Sequence, residues 1–283
     1  MKICELGDKW QDAYKNCILN YQAKLGMAIA KCYRPKKLYK YFSFDNKYWK
    51  QNAKGDVAFC YPSSFNDPMD ARWFLNYESI IDARFGEKGS AVKLVGDDVF
   101  SIMKRVYETD FMYLQDNFSI ACFSTTPYSN PMWGHYSSKH SGFCIEYDVD
   151  LMNLKNKVLI PVAYGDKPFD ASKLIDMDGI DDEFSTMCPI VFKSKDWSYE
   201  NEWRIFLKNT SDNDVVVENM QSSITGIYFG LKSIGLYKRK VVESWAKKQK
   251  IPCHQIERAY CSFELLSDTI EDIEQGKMKG FIL

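Results

Sequence analysis

The chain has 283 residues, 46% hydrophobic and 27% charged, with 37 basic and 38 acidic side chains for a net charge of −1. This is the composition of a globular protein with a sizeable core, and so even a balance supplies no overall field to draw nucleic acid or an anionic membrane. The nine cysteines are widely spaced without a CxxC, which argues against a zinc knuckle or a disulfide framework and reads as free thiols in the cytoplasm, and no apolar run reaches membrane-spanning length.

Trp10, Tyr14, Ile18, Tyr21, Leu25 and Ile29 recur in steps of four and three, the spacing of one helix face over 10–30. This helix is expected to dock on the main domain or to mediate an oligomer or partner contact. Pro35 ends the pattern, and strands are expected at 37–44 and 56–61 with a short helix near 46–51. Asn66-Asp67-Pro68 then signals a turn, either a plain tight turn or a polar loop at the mouth of a cleft.

Residues 77–117 carry helical periodicity through Val99, Ile102, Met103, Val106 and Tyr107. Strands at 118–124 and 142–147 flank a polar, aromatic stretch that holds Trp133, His135, Tyr136 and His140, with Glu146 just beyond. That is more than a connector needs. A strand at 158–164 and an acidic loop over 166–183 follow. In 199–208, Trp203, Ile205 and Leu207 alternate with Glu200, Glu202 and Arg204, the pattern of a strand with two faces. Strands at 214–218 and 224–229, a helix over 235–249, a strand at 251–260 and a polar, helical tail from 262 complete the chain.

The elements imply an α+β fold: twisted mixed and antiparallel sheets with helices packed between and around them. The division is an N-terminal helical extension (1–35), a single α+β domain (36–261) and a C-terminal tail (262–283).

Two constellations carry chemistry. Glu200 and Glu202 on one strand face, with Arg204 beyond them, are either a cross-strand ion-pair ladder or a carboxylate pair suited to a glycosidic carbon, where positive charge builds up in the transition state. Trp133, His135, Tyr136 and His140 form the second. The histidines are five residues apart, which disfavours a zinc site on one helix and leaves them to orient a carboxylate or ligand. GxGxxG, GxxxxGK[ST] and GxSxG are absent, so a Rossmann site, a P-loop and an α/β-hydrolase elbow lack support.

The blocks LYKYFSF from Leu38, PSSFNDPMD from Pro62, CFS from Cys122, MWGHYSSKHSGFCIEYD from Met132 and WSYENEWRI from Trp197 together resemble the bacterial domain-of-unknown-function family 2971, over about 36–260. A first strand of LYKY type, an NPM-containing turn before a helix and a late Glu-x-Glu strand are also similar, at fold level, to the ADP-ribosyltransferases, above all the DNA-targeting bacterial toxins. That resemblance implies an ADP-ribosyltransferase-like core that cleaves NAD at the nicotinamide–ribose bond. Glu202 matches the catalytic glutamate and Glu200 the acceptor-side residue. Tyr39 and Tyr41 lie where the first strand contacts NAD, although that strand carries Lys40 where a His or Arg is usual.

The expectation is therefore NAD-dependent ADP-ribosyl transfer or NAD cleavage, as in a bacterial toxin or phage-defence effector, with a protein or nucleic-acid acceptor. Glu202, Glu200 and His135 are the catalytic candidates. Tyr39, Tyr41, Asn66, Asp67, Trp133, Tyr136, His140 and Arg204 are the candidates to bind the nucleotide, and no metal ligand is assigned. A non-catalytic sensor or binding module, and a metal-dependent hydrolase or nuclease built on the two histidines, are the alternatives.

Overall fold

The computed structural model of the protein describes residues 3–71, 73–76, 101, 105, 117–172, 187–208 and 215–274. The expected helices over 77–117 and most of the acidic loop lie outside these residues.

The N-terminal segment is two helices, α1 (Trp10–Leu19) and α2 (Ala23–Cys32), not one. Tyr21 adopts a left-handed backbone (φ 56°), and Gln22 N–H closes back on the Cys17 carbonyl at 2.9 Å. That is how a helix commonly ends, although glycine usually takes the left-handed place. Tyr21 is held there by its hydroxyl, which donates to the Asp170 carbonyl, and by its ring, edge-on to Phe169. Tyr14, Cys17, Ile18, Ile29 and Ala30 are all buried against the sheet, so the two helices form part of the core. Cys4 and Cys32, whose Cα atoms lie 5.6 Å apart, are joined as a disulfide, a correction to the reading of all cysteines as free.

The chain continues through β1 (Lys37–Phe42), α3 (Trp49–Ala53), β2 (Asp56–Cys60), β3 (Trp73–Phe74) and β4 (Phe118–Ser124). Next come α4 (Asn130–Tyr136), β5 (Phe143–Asp148), β6 (Lys157–Pro161), β7 (Ala163–Gly165), β8 (Phe169–Asp170) and β9 (Phe192–Ser194). The remainder is β10 (Glu202–Lys208), β11 (Val215–Asn219), β12 (Ile224–Phe229), α5 (Tyr237–Gln249), β13 (Cys253–Arg258), β14 (Leu265–Thr269) and α6 (Ile270–Glu274). The polar tail from 262 thus begins with a strand, which pairs with β13 before the short α6.

Among the described residues, ten strands form one sheet in the order β11-β2-β4-β1-β5-β12-β13-β14, with β10 also pairing β4 and β6. All its pairs are antiparallel except β12 with β13. With two small parallel pairs, β3–β8 and β7–β9, and helices on and around the sheet, the fold is α+β, and among the described residues the sheet does not close into a barrel.

The sheet forks at β4. This strand runs alongside β10 for its full length, Phe118↔Lys208 to Ser124↔Glu202. It meets β1 only at Tyr39↔Ser124 and β2 only at Cys60↔Ile120. One face of both halves shares a core that includes Leu38, Ala121, Phe123, Ile145, Trp203 and Ile205. On the opposite face the two halves carry separate clusters. Ile120 and Phe206 pack with the N-terminal helices, and Tyr41, Met132, Trp133, Cys144 and Tyr228 pack together around β1 and β5. The candidate site opens at the boundary between these two clusters.

Candidate functional site

A cavity of about 120 Å³ lies at the fork, walled by Tyr39 and Tyr41 from β1, Cys122 from β4, Met132 and Tyr136 from α4, and Phe65 with Asn66 from the NDP turn. Lys193, Glu200, Glu202 and Asp70 also line it. This is the space of about four water molecules, enough for one ring of a ligand whose remainder would lie over the open mouth. Two walls are fixed from behind: the Tyr39 hydroxyl donates to Glu146 at 2.9 Å and the Tyr41 hydroxyl to the Thr126 carbonyl at 2.9 Å.

The carboxylates reach this place by a local reversal. Glu200 is not on the strand but ends a 3-10 turn, Lys195–Glu200. Asn201 follows in the left-handed region (φ 45°, ψ 53°), which asparagine tolerates better than most residues, and Glu202 begins β10. The kink brings both side chains to one ammonium: Lys193 Nζ lies 2.6 Å from Glu200 and 3.2 Å from Glu202. Ser124 Oγ, donating to the Glu200 carbonyl at 2.6 Å, and the Glu202 N–H, donating to the Tyr164 hydroxyl at 2.9 Å, pin the turn.

Arg204, fully buried, completes the network. Its Nε donates to Glu202 Oε1 at 2.8 Å and its Nη2 to Glu202 Oε2 at 3.0 Å and to both Asp70 oxygens at 2.8 Å. Nη1 donates to the Ile190 carbonyl, and the guanidinium lies 5.0 Å from the Phe65 ring centre. Asp70 also lies 3.0 Å from Lys193. Buried charges persist only when paired and hydrogen-bonded, and here each ion has at least two polar partners.

This environment separates the two glutamates. Burial pushes Glu202 up, but the Arg204 guanidinium and the Lys193 ammonium outweigh it and hold the carboxyl well below its usual range. For Glu200, burial and the charge of Glu202 win over Lys193 and over the phenol of Tyr136, which donates at 2.8 Å, so its proton affinity is raised. Two carboxylates driven apart in this way can divide the work of fixed anion and proton acceptor. Burial works against the Lys193 ammonium, but Glu202 and Asp70 more than offset it and keep the lysine protonated.

The other sequence candidates are distributed around this centre. Asn66 lines the cavity together with Tyr136. Asp67 accepts from the Met69 N–H at 2.8 Å, forming the turn that carries Asp70 inward. Trp133 is fully buried, its indole N–H donating to the Pro127 carbonyl, and does not line the cavity. His135 is exposed beside it, among Tyr136, Trp197 and Tyr199. His140 stacks on the far side of Trp133 in a left-handed turn through Ser138, Lys139 and His140, whose return needs Gly142: a Cβ there would meet the Phe42 carbonyl oxygen at 2.1 Å. Among the described residues no three His, Cys, Asp or Glu side chains are arranged to hold a metal ion; between Asp70, Glu200 and Glu202 sits the Lys193 ammonium.

Sequence reasoning missed Asp70 and Lys193. Asp70 ends the FNDPMD block, and Lys193 follows the apolar run CPIVF, where a lone lysine in a buried strand must find a counter-charge.

No curated protein and no solved structure matches the chain. Residues 132–205 match the model of a family described as protein of unknown function, DUF2971, a span that holds Tyr136, Lys193, Glu200, Glu202 and Arg204, so that this segment of the chain is similar to that family.

Proposed function

We propose that the cavity at the fork is an active site that cleaves NAD at the nicotinamide–ribose bond and passes the ADP-ribosyl group to water or to a protein or nucleic-acid acceptor. The observation that carries this reading is the juxtaposition of an aromatic slot, Tyr39, Tyr41 and Tyr136, with the Glu200–Glu202 pair at its end. A flat pyridinium cation is favoured by aromatic faces and by an anionic end wall, and the slot admits one ring.

In this scheme the C1′–N bond breaks and its electron pair returns to the nicotinamide nitrogen, neutralising the ring. A C1′–O bond forms to water or an acceptor hydroxyl, and the proton released from that oxygen passes to Glu200. Glu202 remains an anion while positive charge develops on the ribose. An enzyme that spends NAD in this way fits a toxin or phage-defence effector.

The test is nicotinamide release from NAD by wild type and by Glu202→Ala, with an NAD-dependent thermal shift read alongside. Release by wild type and its loss in the variant support the scheme; no release and no shift remove it. A second reading is favoured by one observation: both Glu202 oxygens are already engaged by Arg204 and Lys193. In that case the cavity binds a nucleotide without turning it over, and NAD would shift the melting temperature with no nicotinamide appearing.

A further inference from the structure

Within the charged cluster, Lys193 is the member that touches every carboxylate. Its Nζ lies 2.6 Å from Glu200, 3.0 Å from Asp70 and 3.2 Å from Glu202, whereas Arg204 reaches Asp70 and Glu202 but has no bond to Glu200. The ammonium also lies 5.0 Å from the Trp197 ring centre, which restricts it on a fourth side. Without it, Glu200, Glu202 and Asp70 would face one another across a buried space with only Arg204 to offset them.

We propose that Lys193 is a positioning residue of this site: held by Asp70, it keeps Glu200 and Glu202 side by side at the end of the cavity and sets the balance of charge between them. The role rests on the reading of the cavity as an active site. A permanently protonated amine is no nucleophile, so Lys193 forms no bond to substrate; it acts through the glutamates. The groups facing Glu200 are Lys193 on β9, Glu202 and Arg204 on β10, Asp70 after the NDP turn, Tyr136 on α4, Tyr164 on β7 and Tyr199 in its own turn. Lys193 is the nearest cation among them, at hydrogen-bonding distance.

The experiment follows the carboxyl of Glu200 directly, by ¹³C NMR of protein labelled at glutamate carboxyls, its resonance identified by its absence from Glu200→Gln. Lys193→Met is expected to raise the Glu200 titration midpoint by about one pH unit or more, because a neighbouring cation is lost. Asp70→Asn, which removes an anion and leaves the ammonium, is expected to lower it, and this second variant keeps the test decisive if Lys193→Met does not fold. An unchanged midpoint in the folded variants overturns the proposal.

Turnover supplies an independent arm. Lys193→Met should lower kcat for nicotinamide release by about tenfold or more while KM for NAD changes by less than about threefold, and propylammonium should restore part of the activity of Lys193→Ala. A raised KM with unchanged kcat would make Lys193 a ligand contact and overturn the positioning role. If wild type releases no nicotinamide, the NAD reading falls while the titration still decides what Lys193 does to Glu200.

Discussion

Tyr39 and Glu202 flank the same residue: each is the antiparallel partner of Ser124, one on either side of it. Neighbouring strands are separated by about 4.8 Å, so the backbones that carry the aromatic wall and the carboxylate are held about 10 Å apart across a single strand. Ser124 is itself buried and bonded to the Glu200 carbonyl. One position of β4 therefore fixes the spacing of three site residues.

The Asn201 kink is open to a direct test. Asn201→Ala places a Cβ without a local hydrogen-bonding side chain in the left-handed region and is expected to destabilise the fold by about 1 kcal/mol, whereas Asn201→Gly should be tolerated. Urea denaturation of the two variants gives the comparison; equal stability would show that the kink is not strained.

Arg204→Met should be far more damaging. It leaves Glu202 and Asp70 buried, with Lys193 as the nearest cation, and removal of one partner from a buried ion pair costs about 3–5 kcal/mol. Chemical denaturation is the measurement, and a cost under about 1 kcal/mol would mean that the pairs behave like exposed ones.

Trp133 and His135 are two residues apart on α4 but differ in burial. Trp133→Ala should cost about 3–5 kcal/mol by opening a cavity in a packed cluster, while His135→Ala, on the exposed rim, should change stability by no more than about 0.5 kcal/mol. Thermal or urea unfolding of both separates packing from rim.

Acid should weaken the protein in stages. Burial lowers the proton affinity of His254 despite Glu146 and Asp272, and burial with the charge of Lys232 lowers that of His140. A depressed histidine binds fewer protons folded than unfolded, so its contribution is complete above the ordinary value of 6.5 and is lost as pH falls through the folded value. Glu146 has the same sign below 4.5: burial raises it, but hydrogen bonds from Thr225, Tyr39 and Tyr228 and the charge of Lys37 prevail. Glu200 has the opposite sign, its contribution being present below 4.5 and lost as pH rises through its raised folded value. Stability measured against pH should therefore begin to fall below 6.5, and His254→Asn should flatten that part of the curve; an unchanged slope would count against the assignment.

The α+β class and most strands were legible from alternation, and the ENEWR block pointed to its carboxylates by residue type. What alternation could not show is that Glu200 leaves the strand, because an asparagine in the left-handed region looks like any other polar residue in sequence. The break at Tyr21 was hidden for the same reason: no glycine or proline marks it, and its anchors on Asp170 and Phe169 are remote in the chain. Asp70 and Lys193 gain meaning only from their distance to each other, which no local spacing encodes. Trp133 and His135 both stood as site candidates in sequence, with a core role weighed for Trp133, because the period of a seven-residue helix is too short to say which side is buried.

A single bridge at Ser124 stitches the two half-sheets together where the aromatic slot begins, so the strand ladder fixes the spacing at that one point. Beyond it the halves are backed by Leu38, Ala121 and Phe123, packed in one cluster on the reverse face. They act as a shim: enlarging the side chain at Ala121 would prise the halves apart and alter what the slot admits without touching anything inside it.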